Sequence, residues 1–276
     1  MPACHICYLT PQGLFPAEYS ADSLAQAAAF EPRDGVYTIT NTFNRFLVLK
    51  LDAHLDRMED SASREGFALR LDRPRLRAVL RQMIADSGYA DVRFRVTASA
   101  SAPDRLIVSI EPFHPLAAEV YARGVRCVTV HGARHNPQAK TTDWMLDRRQ
   151  IEASLPDGIF TGLLVGDGGV ILEGLSSNFY AIVDGELRTA AEGVLPGIAQ
   201  QIVFEVAPAI VPLRRQAITK ADLPACAEAF ITSSSRGIVP VVEIDGAAIG
   251  SGQPGPITER LRSAYLAWLE ANLEEL

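Results

Sequence analysis

The sequence predicts an α/β (α+β) protein of two domains, on three observations. The chain of 276 residues is long for one compact domain and suits two small ones. Short apolar or β-branched segments alternate with segments of helical periodicity. A stretch at 111–123, containing Pro112 and Pro115, separates a first α/β unit from a second. We therefore expect a small N-terminal domain at 1–115, a linker at 116–123 and a larger C-terminal domain at 124–276.

The predicted N-terminal domain combines strands with two helices. Strands are expected at 35–40 and 46–51, as a hairpin-like pair around the turn that begins at Asn41. Helices follow at 53–65 and 73–88, and further strands at 92–98 and 105–110. The strand at 92–98 alternates arginine with apolar residues, so Arg93 and Arg95 should share one face.

The predicted C-terminal domain begins with a strand at 125–130 and a long loop through Pro137. A helix then runs to about 153, followed by strands at 161–165 and 170–172. Asp184-Gly185 indicates a hairpin turn. A helix at 197–206, strands at 228–233 and 239–244, and a helix at 257–273 complete the domain.

Composition excludes several classes of function. The net charge of −7 argues against a nucleic-acid or anionic-membrane partner, which would need a basic face. No stretch approaches the roughly 20 apolar residues of a membrane helix. The N-terminal residues lack the basic start and apolar run of a signal peptide. These features predict a soluble, cytoplasmic protein.

The cysteines and histidines do not predict a metal site. Cys4 and Cys7 form a CxxC pair, which suggests redox chemistry or zinc. The other two cysteines are isolated, and the five histidines do not cluster with acidic residues at metal spacing. A first strand containing Cys7 explains the pair more simply.

Lysine is scarce, which narrows the search for a nucleophile. Only three of the 26 basic residues are lysines. Lys50 lies on the expected hairpin, and Lys220 lies at a helix start, where lysine usually faces water. Lys140 follows an irregular loop and precedes a helix, so it is the candidate.

Three more segments could carry chemistry. Glu173 ends an apolar strand and enters a polar turn, where a carboxylate is costly unless it pairs with a cation. Leu195-Pro-Gly197 precedes a helix whose first amides could bind a phosphate, although an ordinary helix start explains it equally well. The serine run that ends at Ser235 offers hydroxyl groups for an anion, or is a plain loop.

Together these motifs resemble the class IV aminotransferases, which are fold-type IV pyridoxal-phosphate enzymes. That family includes branched-chain aminotransferases, D-amino-acid transaminases and aminodeoxychorismate lyases. The resemblance runs from about Asp34 to Pro256 and rests on an ordered set of motifs: His54-x-x-Arg57, Lys140, Glu173-Gly-x-Ser-Ser-Asn178, Leu195-Pro-Gly-Ile198 and the serine-rich strand end. It implies a homodimer with pyridoxal 5′-phosphate in the cleft between the two domains.

The resemblance also implies roles for the matched residues. Lys140 would hold the cofactor as a Schiff base and transfer the substrate proton. Glu173 would keep the ring nitrogen protonated, so that the ring withdraws electrons. Arg57 would bind the phosphate. The remaining cofactor-binding positions are Ser177, Asn178, Leu195, Gly197, Ile198, Ala199, Ser233 and Ser234.

Substrate residues are expected at Tyr37, Arg93, Arg95 and Ser235. Arginine binds a carboxylate through two parallel hydrogen bonds, which fixes its orientation. The alternative is that the two arginines occupy a solvated strand face. In that case Tyr37, Arg134 or loop amides would bind the substrate carboxylate.

The expected activity is transamination between an α-amino acid, branched-chain or D-, and a 2-oxo acid. The chain departs from the family pattern at Ala199, where threonine is usual. It also departs at Thr38, where transaminases often carry glutamate and the lyases more usually threonine. An aminodeoxychorismate lyase is therefore the first alternative, and an inactive binding protein of the same family is the second. The sequence does not distinguish L- from D-amino acids.

Overall fold

The chain forms two compact units, seen in a computed structural model that describes residues 3–276. The first unit contains the residues up to His114 with the segments Ala139–Asp147 and Asn272–Leu276. The second contains Pro115–Gln138 and Arg148–Ala271. The predicted limits of 1–115, 116–123 and 124–276 differ from this division, because two later segments bond to the N-terminal unit. The predicted linker also holds a short helix.

Strands and helices follow one another along the whole described chain. Those up to residue 154 are β1 (His5–Thr10), β2 (Gly13–Pro16), α1 (Leu24–Ala27), β3 (Gly35–Asn41), β4 (Leu47–Leu49), α2 (Leu51–Arg64), α3 (Arg73–Ser87), β5 (Val92–Ser99), β6 (Ala102–Pro112), α4 (Ala118–Arg123), β7 (Val125–His131) and α5 (Thr142–Ser154). The later ones are β8 (Thr161–Val165), β9 (Ile171–Gly174), β10 (Ser177–Val183), β11 (Glu186–Arg188), α6 (Ile198–Val206), β12 (Leu213–Arg214), β13 (Cys226–Ser233), β14 (Gly237–Ile244), β15 (Ala247–Ala248), α7 (Pro256–Ala271) and β16 (Leu273–Glu275).

The first unit is an antiparallel sheet with helices α2 and α3 against one face. Its strand order is β2-β1-β6-β5-β3. Phe94 and Val96 of β5 point into a core that Leu55 and Met58 of α2 and Leu80 of α3 also fill. The alternation predicted for this strand is therefore confirmed on its apolar face.

The predicted hairpin between 35–40 and 46–51 is wrong. β3 pairs with β5, and the short β4 pairs with β16 at the end of the chain, where Leu49 faces Leu273. Between β3 and β4 the backbone turns through Asn44 and Arg45, both with positive φ. The partner of β4 thus comes from a distant part of the sequence, which local turn signals could not reveal.

The second unit is built on a sheet that closes on itself. Strands β10, β13, β14, β7, β8 and β9 are neighbours in that order, and β9 also pairs with β10. This pairing closes those strands into a barrel with an apolar interior. The strand order continues from β10 to β11 and β12.

Most predicted elements are confirmed to within two residues at each end, and β6 extends further than predicted. The turn between β10 and β11 is confirmed as well, with positive φ at both Asp184 and Gly185. That conformation suits the right-handed twist of a two-residue hairpin. Within residues 3–276, no helix combines the length and apolar character needed to cross a membrane.

Candidate functional site

Lys140 is held by its backbone in the first unit. Its carbonyl oxygen accepts a hydrogen bond from Tyr37 N at 3.0 Å, and its amide donates to Ser61 Oγ at 3.0 Å. The next residue, Thr141, forms a β-bridge with Val36 of β3. The half-buried side chain places Nζ 4.7 Å from the centroid of the Tyr37 ring. The backbone of Lys140 is therefore anchored at a sheet edge, and its amine lies over an aromatic face.

Helix α2 contributes a buried polar face to the same unit. His54, Arg57 and Ser61 are all buried, and their spacing puts them on one side of the helix. His54 Nδ1 lies 2.9 Å from Thr38 Oγ1. Burial lowers the pKa of His54 well below its usual value, and the charges of Arg57 and Lys140 lower it further. The imidazole is therefore neutral, with two cations near it.

In the second unit, Glu173 is a buried carboxylate at the last position but one of β9, with 3% of its surface exposed. It accepts hydrogen bonds from Arg134 Nη1 at 3.2 Å and from Leu195 N at 3.1 Å. Arg134 is also buried, so the two side chains form an ion pair away from water. The sequence suggested Arg134 only as an alternative carboxylate site, because a lone arginine in a loop does not reveal its partner.

The turn after β9 is tied to the loop that leads into α6. Asn178, which faces Glu173 across the strand pair, donates from Nδ2 to the carbonyl of Leu195 at 2.8 Å. Gly197 lies against the Asn178 carboxamide so closely that a Cβ atom there would collide with it. The Glu-Gly-x-Ser-Ser-Asn and Leu-Pro-Gly motifs therefore form one structure, held by a side chain and a glycine.

Helix α6 begins directly after Gly197 with its first residues buried. Gly197 has extended backbone angles, and no side chain of residues 3–276 caps this end of the helix. The first amides of a helix lack partners within it and carry partial positive charge. Ile198 and Ala199 are therefore placed where an anion would be stabilised. Ser177 adds a buried hydroxyl that finds no hydrogen-bond partner within the described chain.

The serine run lies at the turn between β13 and β14. Arg236 Nε donates to Ser233 Oγ at 2.8 Å, and Arg236 Nη2 donates to the carbonyl and the hydroxyl of Ser176, both at 3.1 Å. Ser234 and Ser235 are half-buried in the same turn. Arg236 thus joins the serine run to the turn after β9. The sequence did not reveal this link. Its only signal was an arginine directly after three serines.

The two arginines expected on the substrate side have partners inside the first unit. Arg95 is buried, forms an ion pair with Glu31 at 2.7 Å and donates to the carbonyl of Leu24. The solvated-face alternative is therefore wrong for Arg95. Arg93 lies 3.8 Å from Glu111 and is partly exposed. The contacts of Arg95 support a structural role, which holds the segment around α1 against β5.

The family model and the relatives that match this chain are all described as aminotransferases. The family model described as Amino-transferase class IV matches residues 35–244. A putative branched-chain-amino-acid aminotransferase of Methanocaldococcus jannaschii is 26% identical over 252 positions, covering 84% of this chain and 86% of the relative. A D-alanine aminotransferase of Bacillus licheniformis is 26% identical over 246 positions, with 84% and 86% covered.

Solved structures share the fold. The branched-chain aminotransferase of Thermoproteus uzoniensis with norvaline has a TM-score of 0.78 at 22% identity, covering 98% of this chain and 99% of the other. The branched-chain amino acid aminotransferase of Escherichia coli has a TM-score of 0.79 at 19% identity, with 99% of each chain covered. The predicted two-domain, fold-type IV architecture is therefore confirmed.

The buried pair of Arg134 and Glu173 can be tested by stability. Arg134→Met should lower the free energy of unfolding by about 3 kcal/mol, because it leaves a buried carboxylate without its cation. Adding Glu173→Gln should restore much of that loss. Urea denaturation measures both effects, with Arg126→Met on the exposed side of β7 as the control. A loss no larger than that of the control would contradict the importance of the pair.

Proposed function

The chain belongs to the class IV aminotransferase family, and we propose that it transfers the amino group of a branched-chain or D-amino acid to a 2-oxo acid with pyridoxal 5′-phosphate. The names of the relatives support this choice of substrates. The same proposal includes a cytoplasmic homodimer, whose mass light scattering on the cofactor-loaded protein would measure. The observation that carries the proposal is the amine of Lys140 with the buried residues Tyr37, His54 and Arg57 around it.

The residues of the first unit fit this cofactor. Lys140 offers an amine that would condense with the cofactor aldehyde, releasing one water and holding the cofactor covalently. Arg57 is a buried cation near it, suited to the phosphate. The neutral state of His54 suits this arrangement, because a third positive charge would repel both groups. The Tyr37 ring beneath Lys140 Nζ limits the directions that the amine can take.

The residues of the second unit fit pyridoxal 5′-phosphate as well. The Glu173 carboxylate would accept a hydrogen bond from the protonated ring nitrogen, and its burial would strengthen that interaction. The uncapped start of α6 suits the phosphate. We assign the remaining contacts with phosphate and ring to residues at the turns and at the adjoining strand and helix ends described above: Ser177, Asn178, Leu195, Gly197, Ile198, Ala199, Ser233 and Ser234.

The residues of the chain would act on the substrate in a definite order. When bound, pyridoxal phosphate supplies an electron sink for the charge that forms when the substrate loses its α-proton. Lys140 Nζ, set free when the substrate amine takes its place, would take up the α-proton of the substrate and hold it for the later return step. Glu173 would hold the proton on the ring nitrogen during this transfer. Tyr37 and Ser235 would border the substrate carboxylate.

A second candidate is release of pyruvate from aminodeoxychorismate, which Thr38 favours. In the structure the Thr38 hydroxyl is fully buried and lies against His54. The reactions differ in stoichiometry. Without a 2-oxo acid, a transaminase stops after about one turnover per chain, because the cofactor keeps the amino group, whereas the lyase continues to release pyruvate. We expect activity on amino acids to require a 2-oxo acid, and continuous pyruvate release without one would establish the lyase.

The covalent anchor can be tested by trapping. Borohydride reduction with pyridoxal phosphate should attach the cofactor to Lys140, and Lys140→Ala should abolish both the adduct and the activity. Lys220→Ala is the matched control, because the Lys220 ammonium is engaged with Thr129 and Asp245. Peptide mass spectrometry identifies the modified lysine. A trapped adduct that persists on Lys50 or Lys220 in Lys140→Ala would exclude Lys140 as the anchor.

The role of Glu173 can be tested with an isosteric change. Glu173→Gln removes the charge that keeps the ring nitrogen protonated, so kcat should fall roughly a hundredfold or more while the cofactor remains bound. Steady-state kinetics and cofactor absorbance measure the two effects. Glu192→Gln, an exposed change near the same loop, is the control. A kcat within about twofold of wild type would remove Glu173 from the mechanism.

A further inference from the structure

Ser61 connects the two residues of the first unit to which cofactor roles are proposed above. It lies on α2 with none of its surface exposed. Its hydroxyl donates to the carbonyl of Arg57 at 2.7 Å and accepts from the amide of Lys140 at 3.0 Å. Ser61 Oγ therefore links the backbone of Arg57, the proposed phosphate ligand, to the backbone of Lys140.

These contacts leave the Lys140 peptide little freedom. Lys140 lies outside any helix or strand, where the backbone has no regular partner. Its amide is held by Ser61 on α2, and its carbonyl is held by Tyr37 on β3. Since both polar backbone groups are paired, the Cα of Lys140 is fixed between a helix and a strand. Loss of the Ser61 hydroxyl would remove this acceptor from a partly buried amide, which is a costly arrangement.

We propose that Ser61 is a positioning residue, which sets the spacing between Lys140 and Arg57 so that the aldehyde and phosphate ends of one cofactor molecule bind together. This inference rests on the proposed function. Attaching one end makes binding of the other end intramolecular, but only if the spacing is correct. A loosened Lys140 would still react with an aldehyde, yet it would lose the advantage that phosphate binding gives.

A second buried polar contact of α2, between His54 and Thr38, does not replace this link. His54 and Thr38 hold the helix to β3 about two turns earlier, and their contact does not involve the Lys140 backbone. Ser63, two residues after Ser61, is exposed on the same helix. It therefore offers a matched control for the loss of a hydroxyl from α2.

The experiment compares two aldehydes on the 276-residue chain without bound cofactor. Pyridoxal phosphate can use both ends of the site, whereas pyridoxal lacks the phosphate. Absorbance titration, followed by borohydride trapping, gives a dissociation constant for each at Lys140. Ser61→Ala should weaken pyridoxal phosphate about tenfold and pyridoxal less than about twofold, so the preference for pyridoxal phosphate over pyridoxal falls. Ser63→Ala should leave that preference unchanged.

Each outcome bears on one hypothesis. Equal weakening of both aldehydes would show that Ser61 is merely structural, and no weakening of either would show that its hydrogen bonds are dispensable; both overturn the inference. If Ser61→Ala does not fold, Ser61→Cys keeps a side chain of similar size with weaker hydrogen bonds, and it should lower the same preference. If the wild-type protein forms no adduct at Lys140 with either aldehyde, the proposed function itself fails.

Discussion

The buried charge of Glu173 is the constraint on which the second unit's functional loops depend. A carboxylate almost without contact with water must be matched by a cation and by hydrogen-bond donors. Arg134 supplies the cation from the loop after β7, and Leu195 supplies an amide from the loop before α6. One acid thus fixes two loops. The first continues to Lys140, and the second continues to Gly197 and the start of α6.

Helix α2 in the first unit must also satisfy polar groups away from water, because it is buried on two faces. One face is apolar and packs into the core through Leu55 and Met58. The other carries His54, Arg57 and Ser61, whose polar groups must be satisfied without water. Desolvation keeps the pKa of His54 low, so its imidazole adds no charge beside Arg57. The helix can therefore concentrate positive charge at Arg57 and still remain buried.

The sequence predicted those features that local patterns encode. Periodicity indicated α2, α3 and most strands, and Asp184-Gly185 indicated its hairpin. The pairing of β4 with β16 could not be predicted, since its partner lies at the far end of the chain. Motif resemblance named Lys140 and Glu173 but not the residues that position them. A lone arginine in a loop and a serine on a helix are ordinary in sequence, so their roles depend on tertiary contacts.

The placement of Lys140 in the first unit shows why chain order is a poor guide to domain membership here. β3 is the last strand of its sheet, so its outer edge would expose unpaired backbone groups. The segment Ala139–Asp147 covers part of that edge: Tyr37 donates to Lys140, Val36 bridges to Thr141, and Gly35 exchanges hydrogen bonds with Thr142. The segment that carries Lys140 therefore supplies hydrogen-bond partners to backbone groups at the edge of the sheet. Because the lysine is hydrogen-bonded to a strand rather than carried on a free loop, the backbone from which its amine extends is held in place by the sheet, as positioned chemistry requires.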